Sequence, residues 1–406
     1  MRAVIITIGT ELTDGRIIDT NTRYLARDLE RHGARVALTL SVPDNPDEIV
    51  KALDFALGHE PGLILVSGGL GPTRDDLTSP ALARALGLEC KLDPLAEAMV
   101  LNAIGSTRPG PNQIKQAILP TGSIPVAPAG TAPGFIISGG EALIIVLPGV
   151  PSEMKLMWED VSSSTPVKSI LEATKAPARK TLCFYGVGEP RVGEAVESVL
   201  GESQSGLEVS ICARYGEVIL EISGREEDQE QIDDSMKKIG DIFAEYVYSD
   251  GKTIAEAVAG KLVHGKETLA VAESCTGGML SETITGLSGA SRFFLGGVIA
   301  YDNFVKTAIL KVKQDTLDEE GAVSETVARQ MAKGVRAALG AGYGIGITGI
   351  AGPEGGTPQK PVGLVYISIS SNTEGEVRAF NFRGARDDVR SASVTAALHM
   401  LNRLLP

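Results

Sequence analysis

Residues 63–78 read LILVSGGLGPTRDDLT. Leu63 to Ser67 is a short apolar run without polar alternation, the pattern of a strand covered on both faces in a parallel sheet. The chain then turns through Gly68-Gly69-Leu70-Gly71-Pro72 and reaches two aspartates, Asp75 and Asp76. Ligands of open α/β sheets gather beyond the carboxyl ends of strands. Glycines there let backbone amides approach phosphate oxygens, and paired carboxylates suit a hard divalent cation such as Mg²⁺.

Working outward, Ala3–Ile8 is a second buried strand ending at Gly9. Asp19-Thr20-Asn21 caps a helix over Thr22–His32. Val36–Val42 reads as a strand, Pro46–Gly58 and Ser79–Leu86 as helices, and Gly134–Ile137 and Ala142–Leu147 as further strands before a helix near Pro151. This β-α-β-α-β-α order predicts an α/β domain with a parallel sheet and helices on both faces, over residues 1–165. Ser162-Ser163-Ser164-Thr165-Pro166 reads as a boundary. Residues 166–250 then show a small α+β pattern, and residues 251–406 return to α/β with a strand at Thr268–Ala272 that turns into a helix through Glu273-Ser274-Cys275-Thr276-Gly277-Gly278.

Glycine is abundant, 47 of 406 residues or about 12% against ~7% on average, and aromatics are only 4%. The formal charge of −13 is uneven. Residues 1–165 carry 13 Lys/Arg and 19 Asp/Glu, residues 166–252 carry 10 and 17, and residues 253–406 carry 15 and 15. With no basic segment, nucleic acid is not an expected partner, and the neutral last third suits an anionic small ligand. Four cysteines without a C-x-x-C pair write neither a zinc ribbon nor a redox motif. No apolar run reaches the ~20 residues of a membrane helix, and the first residues lack a leader layout, so the expectation is a cytoplasmic protein without a membrane partner.

Two sites follow. At the first, Asp75 and Asp76 are the candidate metal ligands. Gly68, Gly69, Gly71, Pro72 and Thr73 form the phosphate-facing loop, Glu11, Asp19 and Asn21 lie on the same sheet edge, and Lys115 and Arg74 are candidate counter-charges. The plain alternatives are a tight turn for the glycines, a helix cap for Asp19 and a surface ion pair for Arg74. At the second, Ser274 stands where a strand turns into a helix, so free helix amides are expected to serve as an oxyanion hole. His264 and His399 sit in no motif, which disfavours a Ser-His-Asp triad. Lysine is the alternative base, because burial lowers its pKa and frees a lone pair. Tyr301 and Lys306 flank the start of a helix and are able to face one pocket; the plain reading is an exposed lysine. Cys275 is a rival nucleophile, although a small buried cysteine is the commoner role.

The motifs GTEL (9–12), DTN (19–21), SGGLGPTRDDLT (67–78), GTAPGF (130–135) and LPGVPSEM (147–154) resemble the N-terminal domain of the CinA, or competence/damage-inducible, family. That domain is similar to molybdopterin-binding proteins. AESCTGG (272–278), GASRFF (289–294), AYDNFVK (300–306), GITGIAGPEGG (346–356), KPVGLVY (360–366) and FRGARDDVR (382–390) resemble the C-terminal CinA domain, itself similar to stand-alone nicotinamide mononucleotide (NMN) deamidases. One departure is Thr13-Asp14 with Arg16, where the family usually carries a leucine pair and Gln.

The resemblance implies three parts: a molybdopterin-binding-like ADP-ribose pyrophosphatase using a divalent metal, a KH-like linker, and a metal-free NMN deamidase with a Ser/Lys mechanism, in a homodimer. By position, Ser274, Ser291, Tyr301, Lys306 and Arg386 match the functional set, with Thr276, Gly277, Gly278 and Gly349 about the substrate. Ser274 and Ser291 both stay open as nucleophile, the first by its strand-to-helix setting, the second by nearness in sequence to Tyr301 and Lys306. Arg386, with Arg390, is the expected phosphate holder. The linker has no GXXG loop and is acidic, so it reads as a spacer or dimerisation element rather than an RNA clamp. The competing readings are a non-catalytic pterin- or nucleotide-binding scaffold, and a role in DNA uptake, which the charge does not support.

Overall fold

The computed structural model describes residues 1–106, 110–172, 174, 177–201 and 206–406. The chain divides into two compact units, Met1–Pro177 and Ala178–Pro406. Among the described residues no helix is long and apolar enough to cross a membrane.

Among its described residues the first unit holds eight strands: β1 (Arg2–Ile8), β2 (Arg35–Val42), β3 (Leu63–Ser67), β4 (Cys90–Leu92), β5 (Ile118–Pro120), β6 (Ile124–Val126), β7 (Gly134–Gly139) and β8 (Ala142–Leu147). Six of them form one sheet in the order β2-β1-β3-β8-β7-β6. β2, β1, β3 and β8 are parallel; β7 and β6 turn antiparallel at one edge, so the sheet is mixed rather than parallel throughout. The central strands are continuous apolar runs because both faces are covered. Ile6, Ile64 and Val66 meet Leu53 and Leu82 on one side, while Ile5, Leu65 and Ile145 meet Leu25, Leu29 and Trp158 on the other. Trp158 is fully buried, and its indole N–H donates to Asp28 Oδ2 at 2.7 Å. The polar stretch at 162–166 joins helix Pro151–Ser162 to helix Thr165–Glu172, whose Val167 and Leu171 pack into the same core as Trp158.

Register decides where the loops meet. Thr7 pairs with Ser67 and Ser67 with Leu147, so β1, β3 and β8 end at one level. β2 lies on one side of β1 and β3 on the other, which opens a crevice between the ends of β1 and β3. Gly68 turns the chain there with φ +119°, and a Cβ on it would stand 2.1 Å from the Ile8 carbonyl oxygen. The contact cannot yield, because the Ile8 side of it is backbone. Gly68→Ala is expected to cost the first unit roughly 3 kcal/mol. Calorimetry of the full chain should show that unit's transition moved down and the other's unmoved; an unshifted first transition would contradict the close approach.

Among its described residues the second unit carries two sheets. β9 (Ala178–Tyr185), β10 (Glu208–Arg214), β11 (Glu217–Gly224) and β12 (Val247–Ser249) form an antiparallel sheet in the order β10-β11-β9-β12, with helices Glu189–Leu200 and Gln229–Ile242 packed on it through Val192, Ile232 and Met236. β13 (Leu269–Glu273), β14 (Phe294–Ile299), β15 (Tyr343–Gly349), β16 (Leu364–Ser370) and β17 (Gly375–Asn381) form the other, in the order β14-β13-β15-β16-β17. β14, β13 and β15 are parallel, β16 and β17 antiparallel. Here too the direction of winding reverses at β13, so the ends of β13 and β15 flank a crevice. Helix Arg386–Leu404 packs against this sheet and aims its first turn toward that end.

Candidate active sites

At the first site, the loop after β3 is held from several directions. Ser67 Oγ donates to Pro148 O at 2.9 Å, and Asn21 Nδ2 donates to Ser67 Oγ at 3.0 Å and Gly149 O at 2.8 Å. Asn21 therefore ties the ends of β3 and β8 to the first turn of helix Thr20–Arg31, and its Oδ1 is buried without a partner. Asp19 is a helix cap. Its Oδ1 accepts from the Thr22 amide at 2.9 Å, and its Oδ2 from the Thr7 and Thr22 hydroxyls at 2.9 and 2.6 Å. Glu11, in the short helix Thr10–Thr13, folds its carboxylate over Gly9.

The glycines are close-approach positions: a Cβ would meet Thr78 Oγ1 at 2.2 Å from Gly69 and Asp76 Oδ2 at 2.6 Å from Gly71. Asp76 Oδ2 also accepts from the Thr73 amide at 2.8 Å and the Thr73 hydroxyl at 2.7 Å. Pro72 and Asp75 lie exposed on the same loop. Lys115 donates to the Thr73 carbonyl, which brings its ammonium to the loop. Among the described residues no group of three or more His, Cys, Asp or Glu side chains assembles. Two carboxylates, one already half-used, do not cage an ion by themselves. They fit a hard cation whose remaining ligands are water and substrate phosphate oxygens, as Mg²⁺ prefers.

The second site is built where β13 ends. Ser274 leaves the strand with its amide on Ile347 O of β15 at 3.0 Å. Glu273, just before it, is fully buried. Its carboxylate accepts from the amides of Gly278, Leu280 and Ser281 at 3.0, 3.0 and 2.8 Å and from the Ser281 hydroxyl at 2.7 Å. The start of helix Met279–Thr285 is thus filled by the protein's own carboxylate, which corrects the expectation of an oxyanion hole at that helix start. Burial pushes the Cys275 thiol up to about 11, which leaves it protonated and a poor nucleophile at neutral pH. Thr276 is buried, its Oγ1 without a partner, and its carbonyl accepts from Arg390 at 3.0 Å. Gly277 and Gly278 take φ of +58° and +98° to make the turn.

Lys306 is 1% exposed. Asp302 caps the helix Asn303–Ala308, and side chains on a helix lean back toward its N-terminus. The Lys306 ammonium accordingly returns to the residues just after β14, donating to Ala300 O at 2.7 Å and Tyr301 O at 3.3 Å. Burial holds its pKa below the ordinary lysine value, opposed by Asp302 and Cys275. Arg386 donates to Gly352 O at 2.7 Å and to the Tyr301 hydroxyl at 3.1 Å. Arg386 and Arg390 thereby join the loops after β13, β14 and β15 to one helix turn. Tyr301 is 63% exposed.

Two sequence expectations change. Ser291 lies exposed in the turn Ala290–Arg292 ahead of β14, where Phe293 O accepts from the Leu269 amide at the start of β13. Ser274 lies past the other end of that five-residue strand, about 16 Å away. Within one chain, Ser291 is not part of the site. Gly349 closes β15 and pairs with Val365; a Cβ there would meet Val365 Cγ2 at 2.6 Å, so it serves packing. His264 is exposed, and His399 is buried against Glu217, so neither is placed to serve Ser274 as a base.

Residues 4–166 match the family described as "Probable molybdopterin binding domain" and residues 251–405 the family described as "CinA C-terminal domain". A Halothermothrix orenii protein named for competence-damage induction is 39% identical over 423 aligned positions, covering 100% of this chain and 99% of that one. This chain belongs to the CinA family. A CinA-like protein of Citrifermentans bemidjiense is 38% identical, over 100% of this chain and 98% of its own length. The crystal structure of CinA from Thermoplasma acidophilum, described as of unknown function, is 37% identical and covers 40% of this chain and 95% of that one, with a TM-score of 0.39.

In this CinA chain the sequence shows Ser67, Gly149 and Glu273 only as members of longer motifs, and leaves Gln116 between a site role and a helix start. Gln116 is buried beneath the first loop, with Nε2 3.4 Å from Thr131 Oγ1 and Oε1 unpartnered. Ser67, Gly149 and Gln116 act on neighbours 15 to 128 residues away, which no local spacing reveals. Glu273 had a local signal: a carboxylate five residues ahead of a Gly at a helix start.

Proposed function

We propose that this CinA protein is a hydrolase with two active sites for pyridine-nucleotide salvage. One deamidates NMN to nicotinate mononucleotide and ammonia; the other cleaves ADP-ribose to AMP and ribose 5-phosphate. The observation that carries the amidase is Lys306, a buried lysine of lowered pKa at the same sheet edge as Ser274. Neutral Lys306 takes the Ser274 proton as Oγ bonds to the carboxamide carbon. The C–N bond then breaks, the proton passes to the departing nitrogen as ammonia, and water releases the acyl group from Ser274. Arg386 and Arg390 hold the substrate phosphate.

In the first unit, a divalent cation on Asp75 and Asp76 supplies charge neutralisation and a bound water of lowered pKa. The loop amides and Lys115 orient the diphosphate. A second reading of this unit, a pterin- or nucleotide-binding scaffold, is favoured by the absence of a third acidic ligand among the described residues. The protein is proposed to work in the cytoplasm as a homodimer. Edge strand β14, with Leu295 and Ile299 exposed, supports that assembly.

The test is direct. With NMN the protein should release ammonia without added metal, and with ADP-ribose it should release AMP only when a divalent cation is present. If neither product appears, the scaffold reading takes over. Asp76→Ala is expected to lower cation-dependent AMP release at least ~100-fold and to leave ammonia release unchanged. Because Asp76 also holds Thr73, Thr73→Ala is the control: it loosens the turn and keeps the carboxylate, and should lose far less. Equal losses in the two variants would assign Asp76 to the turn alone.

A further inference from the structure

The turn between β10 and β11 consists of Tyr215 and Gly216, with φ of +52° and +83°. Two successive left-handed residues make the hairpin turn that Asn-Gly fits best. A tyrosine in its first position is a strained choice. That strain accompanies a reach to the other sheet's domain. The Tyr215 hydroxyl donates to Asp388 Oδ1 at 3.4 Å and accepts from Arg214 Nη2 at 3.0 Å, and the Arg214 guanidinium lies 4.6 Å from the ring centre. Asp388 Oδ2 accepts from the Ala385 amide at 2.9 Å and so closes the first turn of helix Arg386–Leu404. Arg386 and Arg390 extend from that turn to Gly352, Tyr301 and Thr276.

The same hairpin holds the helix a second time. About three turns further along, His399 is buried, stacked on Tyr185 of β9 at 3.7 Å and 8°. Its Nε2 lies 2.9 Å from Glu217 Oε1, which also accepts from the Tyr248 hydroxyl at 2.7 Å. Two anchorages on one helix fix its rotation as well as its position.

We propose that Tyr215 is a positioning residue for the C-terminal site: by holding Asp388 it sets the first turn of the helix, and with it the guanidinium of Arg386 that receives the substrate phosphate. The acidic middle module then completes a site to which it gives no catalytic group. This rests on the deamidase reading above.

Two variants of the full chain test it. Tyr215→Asn installs the residue the turn prefers and deletes the reach to Asp388. Tyr215→Phe keeps the ring and the turn and deletes only the hydroxyl. Both should raise KM for NMN roughly fivefold, the loss of one long hydrogen bond, with kcat within about twofold. Tyr215→Asn should melt no lower than the wild type, which a merely structural residue would not allow. Without substrate, amide exchange over residues 385–389 should be faster in both variants. In an active enzyme, an unchanged KM in both variants overturns the proposal, as does a fall in kcat that tracks a lowered melting temperature. A wild type that releases no ammonia refutes the deamidase reading instead. The exchange comparison then decides alone, and unchanged exchange overturns the role of Tyr215.

Discussion

Lys306→Met should lower ammonia release from NMN by about 10³-fold or more while AMP release from ADP-ribose stays as in the wild type. Methionine fills nearly the same volume and suits a buried position, so the loss reads the missing lone pair rather than a collapsed core. The pH profile gives a second, independent sign. Burial favours the neutral amine, so Lys306 has its pKa lowered in the folded protein. Only the neutral form accepts the serine proton, so wild-type kcat/KM rises as pH climbs through that lowered value and levels off above it. The residual activity of Lys306→Met should lack this limb. A variant that keeps both the activity and the limb would remove Lys306 from the chemistry. Ammonia and AMP release falling together would show instead that the substitution had damaged the whole chain.

The second large effect belongs to Glu273→Gln. Each carboxylate oxygen of Glu273 accepts two hydrogen bonds, Oε2 from the Gly278 and Leu280 amides and Oε1 from the Ser281 amide and hydroxyl. An amide side chain can serve one pair and must turn its own N–H₂ toward the other. Buried donors left without acceptors cost ~1–3 kcal/mol each, and the charge that faced the helix start is lost as well. The second unit should therefore lose roughly 3 kcal/mol, read as a lowered calorimetric transition with the first unit unchanged. Ammonia release should fall with it, because residues 274–278 hang from this anchor. Wild-type melting of Glu273→Gln would show that the four contacts carry little weight.

The features legible in the sequence were those written locally. Leu63–Ser67 and Ala142–Leu147 appear as uninterrupted apolar runs, and both are central strands buried on both faces. The cap role of Asp19 followed from its place ahead of a helical pattern. Helix Pro94–Ile104 escaped because its apolar residues point everywhere: Ala96 and Val100 are buried while Leu95 is exposed, so no helical period stands out. Strand β14 escaped because Gly296-Gly297 interrupts its apolar pattern. A Cβ on Gly297 would lie 2.6 Å from Ser281 Oγ, so the glycine is there to admit the neighbouring helix. That missed strand is also why Ser291 looked close to Lys306. The chain between them runs the whole length of the sheet, and nearness in sequence became distance in space. The burial of Lys306 lay beyond local patterns, since it depends on carbonyls presented by the end of that same strand.

The carboxylate of Glu273 has one further consequence. Many nucleotide pockets grip a phosphate with an array of oriented backbone donors, which is selective for the shape of the anion. Here that array is already saturated from within. Under the proposed reaction, an incoming mononucleotide is left to the guanidinium groups of Arg386 and Arg390, which attract any compact dianion. In the proposed reaction, discrimination among phosphorylated metabolites then falls to the pocket around the base, and inorganic phosphate becomes a natural competitor whose grip weakens as the electrolyte concentration rises.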